Sequence, residues 1–486
     1  MKLTPFFTKA IILSFIFIFW RGTKNEAQAQ INQLWGLTAR GGVHCAGIIF
    51  TTDISGNNQT VEHDFYTPSE GSSPFGSLMI ARDGKLYGMT SSGGKNMQGV
   101  LFQYDPDSLI YINKLDFKDT ITGANPFGSL IQASDGKLYG MTSQGGINNM
   151  GVLFQYDPAT SIYSKKLDFA GITNGANPSG SLIQASDGKL YGMTRYGGIN
   201  NNGVLFQYDP IASIYIKQFD FAGVTNGALP EGSLLQTRDG NLYGMTLDGG
   251  ANGMGVLFQY DLTTYTYTKK LDFAGTINGR YPRGSLIQAK DGKLYGMTEQ
   301  GGAYSLGVLF QYDPATSTCT KKLDFDGNGG SPEGSLMQAS NGKMYGMTIA
   351  GGPDDKGVLF QYDPVTSTYV KKLNFTATIW LTPFTGYNPH YTSLIEINPV
   401  AISSIEKEVG PKLYPNPAHD FLTLELLLGN QKSATVIIEN MFGQIMYETQ
   451  INTSFYQINT EHYARGIYLV KIITNDETIT KKIIVE

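Results

Sequence analysis

One acidic residue recurs along the chain at a near-constant interval: Asp64, Asp116, Asp168, Asp220, Asp272 and Asp324, with Asn374 ending the series. A ring of carboxylates has the oxygen donors that Ca²⁺ takes. The same side chains can instead accept hydrogen bonds from their own or neighbouring loops. A feature carried by every unit, once as Asn, is expected to be structural, since a functional site on a repeat scaffold breaks the repeat symmetry. A second recurring set is the Asp-Gly pairs beginning at Asp83, Asp135, Asp187, Asp239 and Asp291, with Asn341-Gly342 in the last unit. These suit two-residue hairpin turns, in which Gly accepts positive φ. Glu231, Glu299, Glu333 and Asp248 are the carboxylates that break the symmetry, and so the only candidates for an acid/base pair. A glycosidase needs its two carboxyls about 5–5.5 or 6.5–9.5 Å apart. No spacing in the sequence selects such a pair.

Other chemistry is thinly represented. The five histidines leave residues 66 to 389 empty of imidazole, which argues against a His-based triad or a His-rich metal site there. The two cysteines, Cys45 and Cys319, cannot make a disulfide framework or a four-thiolate zinc site, and both are expected to be free thiols. No double glycine is followed by the Lys-Ser/Thr of a phosphate loop. The net charge of −5 provides no general basic surface for nucleic acid. The expectation is a non-enzyme, with no catalytic residue, metal ligand or cofactor.

Specificity is better sought where matched positions vary. The residue after each interblade proline runs Phe75, Phe127, Ser179, Glu231, Arg283, Glu333 and His390. The pairs before the double glycines include Arg195-Tyr196, Leu247-Asp248 and Glu299-Gln300, and four more variable residues follow each double glycine. Arg195, Tyr196, Asp248, Arg283, Glu299 and Tyr304 are therefore the candidate ligand-binding residues. Aromatics beside Arg and carboxylates suit a glycan or a protein.

The elements that position these residues follow from one period. Gly-Ser-Leu begins at Gly76, Gly128, Gly180, Gly232, Gly284 and Gly334, at intervals of 52, 52, 52, 52 and 50 residues. Within a unit, Ser129–Ala133, Lys137–Thr142, Gly151–Tyr156 and Tyr163–Phe169 read as four strands, separated by Asp-Gly, Gly-Gly and Asp-Pro. Four antiparallel strands per ~50 residues is the arithmetic of a propeller blade. Leu34 to Phe65 matches the second to fourth strands of a unit and lacks the first, while Thr392–Ile397 supplies a first strand alone. Residues 34 to 397 number 364, seven times 52. The fold class is thus all-β: a seven-bladed β-propeller over residues 30–398, closed by pairing its two ends, then a small β-sandwich. Scarce charge (16%) and abundant glycine (59 of 486) agree with short strands and tight turns.

The flanks differ from the repeats. Lys2 and Lys9, the apolar run Ala10 to Trp20, and Ala27-Gln28-Ala29 read as a signal peptide over residues 1–29. The eleven-residue run spans ~16 Å of helix, short of a ~30 Å bilayer core. No transmembrane segment is expected in the mature chain. A polar linker over 399–411 precedes alternating apolar strands, Phe421–Leu428, Ala434–Asn440, Gln444–Thr449, Gly466–Lys471 and Thr478–Glu486.

Two resemblances follow from these motifs. The units resemble kelch-type blades, with Tyr163, Tyr215, Tyr267 and Tyr369 at the kelch Trp position and Cys319 in one unit. Their pattern Leu-Tyr-Gly-x-Thr-x-x-Gly-Gly-x4-Gly-x-x-Phe is more similar to the tandem GloVer repeats of secreted bacterial proteins, which implies architecture and little about activity. Residues 412–486 resemble the type A sorting domain of the Bacteroidota type IX secretion system. Tyr414-Pro415-Asn416-Pro417, Gly443 in Met-Phe-Gly, Gly466 and Tyr468 in Gly-Ile-Tyr-Leu-Val-Lys, and Lys481-Lys482 near the end carry that likeness. It implies the secretion machinery as a partner, passage to the outer surface or medium, and removal of the domain, often in exchange for a lipopolysaccharide anchor. An extracellular glycan-active hydrolase or lyase on the propeller is the alternative to a binding or display role.

Overall fold

The computed structural model describes residues 32–66, 69–376, 386–397, 412–414, 418, 421–425, 433–440, 444–453, 455–473 and 478–485. The expected signal peptide, the linker 399–411, and Pro415, Asn416, Pro417 and Gly443 lie outside them. Six full units each form a four-stranded antiparallel sheet, as in Ile131–Gln132, Leu138–Thr142, Val152–Asp157 and Ile162–Asp168. A seventh sheet joins Ile395–Ile397 to Gln33–Thr38, Ile48–Asp53 and Thr60–Asp64, with Trp35 opposite Ile395 and Gln33 opposite Ile397. Both ends of the repeat region therefore build one sheet, as the complementary half-units require. We number the full blades one to six and call the seventh composite.

Sequence dictates how the sheets pack. The second and third strands, Leu-Tyr-Gly-Met-Thr and Val-Leu-Phe-Gln-Tyr-Asp, are buried along almost their whole length. They are covered on both sides, so they read as apolar runs rather than as alternations. Seven apolar clusters each unite two neighbouring sheets. Tyr139, Met141, Leu153 and Phe169 of blade two meet Leu182, Leu190, Val204 and Phe206 of blade three. The composite sheet packs on blade one through Trp35 and Leu37, and on blade six through Leu34 and Phe50. The invariant glycine of the second strand belongs to this packing: a Cβ on Gly140 would lie 2.6 Å from Cζ of Phe154, the ring that covers it.

Polar ties run along the axis as well. The backbone N–H of Ser77 donates to Ser129 Oγ (2.7 Å), and the step repeats through Ser181, Ser233, Ser285 and Ser335. Ser393 N donates to Ser77 Oγ (2.7 Å), joining the last first-strand to the first. Gln132 accepts from the Arg82 N–H of the preceding blade (2.7 Å), and Glu396 takes the same position in the composite sheet, accepting from Ser340 N (2.6 Å).

The Asp-Gly turns differ from expectation. Gly136 N donates to Ala133 O (3.0 Å) and Ala133 N to Lys137 O (2.9 Å), so the connection has three residues, with Gly136 last at φ +80°. Gly thus follows a type I turn in the left-handed position instead of sitting inside a two-residue turn. Asp135 adds a tie that a turn count misses, accepting the Lys137 N–H (3.0 Å) and the Tyr139 hydroxyl (2.8 Å).

In the C-terminal region, Lys412–Tyr414, Phe421–Glu425 and Phe455–Asn459 form one sheet, and Ile445–Ile451, Ala434–Asn440, Gly466–Ile473 and Thr478–Val485 another. Leu422, Leu424, Val436, Ile438, Val470 and Ile472 fill the space between them. Tyr468 is buried, with its hydroxyl donating to Ala464 O (2.7 Å). Lys481 and Lys482 lie on the strand Thr478–Val485. Among the described residues, no helix is long and apolar enough to cross a membrane.

Candidate functional site

Strand alternation brings two kinds of segment to one face of the propeller: the loop from second to third strand, and the connection from the outer strand to the next blade. They pair there. Ala176 of a connection bridges Tyr196 of a loop, and Ala228 bridges Asp248 in the next unit. Seven residues preceding the connection prolines (Ser73, Asn125, Asn177, Leu229, Tyr281, Ser331 and Asn388) hold φ between 50° and 59°. This shared left-handed kink brings the residue after each proline to a matched position, and those residues meet around the axis.

The mouth they form has a charged half. Arg283 is its hub: Nη1 donates to Glu231 Oε2 (2.6 Å) and to the Tyr391 hydroxyl (3.2 Å), and Nε donates to Glu299 Oε2 (2.6 Å). Glu333 Oε1 stands 3.7 Å from the same Nε, and its other oxygen pairs with Nδ1 of His390. Burial works against the Arg283 charge, but Glu231, Tyr391 and Glu299 outweigh it and hold the guanidinium above the ordinary arginine range. Arg195 completes the cluster, with Nε 3.0 Å from Glu231 Oε1. That contact lacks hydrogen-bond alignment, so both atoms are buried without a hydrogen-bond partner.

The other half is aromatic. Phe75 and Phe127 stack with ring centroids 5.1 Å apart, and Tyr391 stands edge-on to both at 6.2 and 6.4 Å. Burial, with Glu231 nearby, pushes the Tyr391 hydroxyl up from the usual tyrosine range. Between the halves lies a cavity of about 210 Å³, lined by Phe127, Tyr196, Tyr391, Gln144, Arg195 and Glu231 among others. The space enclosed around the serine ring by Tyr391, Arg283 and Glu333 is only about 20 Å³.

Four of the six candidates, Arg195, Tyr196, Arg283 and Glu299, thus share one site, together with Glu231 and Glu333. Asp248 is engaged by its own loop, accepting the Gly249 N–H (2.8 Å), and Tyr304 stands 64% exposed. Neither shares a hydrogen bond or ion pair with the Arg283 cluster among the described residues. Tyr391 is the residue the sequence reading missed. Its signal is a one-residue insertion: Pro389-His390-Tyr391-Thr392-Ser393 stands where other units have Pro-x-Gly-Ser.

The recurring aspartates do structural work. Asp168 Oδ1 accepts the Ile147 N–H (2.9 Å) at the start of the loop after Gly145-Gly146, and Asp116, Asp220, Asp272 and Asp324 repeat the bond. A Cβ on Gly146 would lie 2.5 Å from that carboxylate, and its φ is +77°, which explains the second glycine of the pair. In blade six the donor position is Pro353, which has no N–H, and the aspartate has become Asn374, whose Oδ1 is buried without a partner. Cys45 and Cys319 are free, and burial pushes the Cys319 thiol up to about 11.

The family profile described as the Gloeobacter/Verrucomicrobia repeat matches residues 20–184, 116–269 and 186–398. That of the secretion system C-terminal sorting domain matches residues 412–486. No curated protein matches in sequence. Among solved structures, PorZ, a surface component of the type IX secretion system of Porphyromonas gingivalis, is 16% identical over 90% of this chain and 63% of its own, with a TM-score of 0.45. This chain therefore spans less than two thirds of PorZ. The periplasmic gluconolactonase PpgL of Pseudomonas aeruginosa is 16% identical over 76% of this chain and 99% of its own, with a TM-score of 0.50. An oligogalacturonate lyase in complex with manganese is 12% identical over 71% and 86%, with a TM-score of 0.44. At such identities the likeness concerns the fold alone.

Proposed function

Since the chain belongs to the Gloeobacter/Verrucomicrobia repeat family and ends in a secretion system sorting domain, we propose that it is an exported propeller which binds a ligand at its axial mouth without transforming it. The sorting domain is of the type IX class and directs the protein to the cell surface or the medium. A signal peptide over residues 1–29 would supply the first step, across the inner membrane.

One observation supports the binding role above others. The mouth is where seven equivalent backbone positions carry five kinds of side chain, and three of them, Phe127, Ser179 and Glu231, line one cavity. The arrangement of its carboxylates favours binding over hydrolysis. Glu231, Glu299 and Glu333 all face the Arg283 guanidinium, so each has an oxygen committed to a fixed ion-pair hub. A glycosidase pair must instead flank a substrate bond from two sides.

The test is to incubate the full chain with a panel of bacterial and plant polysaccharides, reading the melting shift and new reducing ends from the same wells. A shift without new ends is expected. New ends produced by this protein, and lost in Glu231→Gln, would establish catalysis and end the binding reading.

A further inference from the structure

We propose that the mouth cavity seats a single neutral pyranose ring, the terminal sugar of a glycan; this rests on the mouth being a binding site.

The size of the space is the first argument. At about 210 Å³ the cavity falls below the ~300–1,000 Å³ of pockets for drug-sized ligands. The adjoining space along the first-strand serines adds only about 20 Å³, so the room on offer is that of about one sugar ring, which suits the terminal residue of a chain.

The lining provides the chemistry. Phe127, Tyr196 and Tyr391 offer ring surfaces for the apolar C–H faces of a sugar, and the Arg195 guanidinium carbon lies 5.2 Å from the Tyr196 ring centroid. Hydrogen-bonding side chains line the same space, Gln144, Ser179, Arg195 and Glu231 among them, the last two ion-paired at 3.0 Å. Together they offer donors and acceptors for the hydroxyls of a sugar whose C–H face rests on the rings.

Charge then selects among sugars. The cavity lining carries one guanidinium and one carboxylate, which offset each other. An anionic sugar would meet Glu231, and a cationic one Arg195, each at the expense of that pair. A neutral ring inserts hydroxyls without unbalancing it.

Saturation-transfer NMR and calorimetry on the full chain test this with methyl pyranosides of glucose, galactose and mannose, beside methyl glucuronide and methyl glucosaminide. At least one neutral glycoside should bind at one site per chain, more tightly than either charged sugar. Tyr196→Ala should weaken it ~tenfold, the worth of one good ring contact. Ser179→Phe should abolish it: it places in blade three the residue that blades one and two carry at that position, so the fold accepts it while the cavity is filled. Binding of no neutral glycoside, preference for a charged sugar, or unchanged affinity in Ser179→Phe would each overturn the inference. If polysaccharides still shift the melting temperature when the glycosides do not bind, only the sugar assignment fails and the binding role stands; newly released reducing ends would remove the binding role itself.

Discussion

The outer ring of aspartates and the axial ring of post-proline residues are built alike, one residue per unit on a repeated backbone, yet one is nearly invariant and the other is not. Each aspartate serves a loop of its own unit, so every unit with that loop needs it. Blade six supports this from the opposite direction: where Pro353 removes the N–H, the carboxylate gives way to Asn374. The post-proline residues share one left-handed kink but contribute to a common space, so what suits one position depends on what its neighbours supply. Phe75 stacks on Phe127, while Arg283 requires Glu231 and Glu299 around it. Repetition therefore marks stability, within a unit or between equivalent neighbours, and departure from it marks a shared site.

The largest effect separating the two rings is expected at the hub. Arg283→Leu leaves Glu231, whose side chain is 1% exposed, without its hydrogen-bonded partner. Stripping one member from a buried pair costs about 3 kcal/mol. Urea unfolding should show that loss, and the double variant Arg283→Leu/Glu231→Leu should recover only part of it, because Glu299 and Glu333 still lack their cation and Arg195 loses Glu231. A single variant as stable as the parent would mean that Glu231 finds other partners.

The outer ring should respond more weakly and locally. Asp220→Ala removes the acceptor of the exposed Ile199 N–H and one partner of Lys217, at about 1 kcal/mol. The informative control is Asn374→Asp, which should bring no gain, because Pro353 has no proton to donate. A stabilising Asn374→Asp, measured in the same unfolding experiment, would refute the coupling of that side chain to its loop.

Much of this was legible in the sequence, for identifiable reasons. The period, the half-units and the Leu-Tyr-Gly and Val-Leu-Phe runs specify strands, because buried strands in a repeat must be apolar and alike. The Asp-Gly turn came out one residue longer because the pair is compatible with two turn types, and only the Gly136 to Ala133 bond distinguishes them. Four mouth residues were found by asking where symmetry breaks. Tyr391 escaped because it is an insertion, with no matched position at which to vary. Asp248 and Tyr304 satisfied the same variation rule and yet sit apart from the hub, since sequence variation marks the loop and not the direction its side chain takes.

A smaller effect lies away from both rings and depends on pH. The Lys343 ammonium, by its hydrogen bond, together with the Val365 and Thr366 N–H groups, holds Asp363 down to about 2 against the contrary pull of burial. A lowered carboxylate value stabilises the fold above the ordinary range near pH 4, and that contribution disappears as pH falls towards 2. Asp363→Asn should therefore cost about 1 kcal/mol at pH 7 and nothing near pH 2. A cost independent of pH would assign the effect to turn geometry instead of charge.

The smallest expected effect fixes the boundary of the mouth. Tyr304 lies in the variable loop after Gly301-Gly302, and its composition makes it as attractive a ligand contact as Tyr196. Its surroundings differ: Tyr196 lines the cavity beside Arg195, while Tyr304 is 64% exposed. An exposed side chain without such neighbours changes stability by less than about 0.5 kcal/mol when truncated. Tyr304→Ala should therefore leave both melting temperature and ligand affinity unchanged, measured beside Tyr196→Ala by the same calorimetry. Equal weakening in the two variants would extend the site from the axis to the rim of blade five. The distinction between a shared centre and repeated units would then fail at the rim, where the loops vary as freely as the axial residues do.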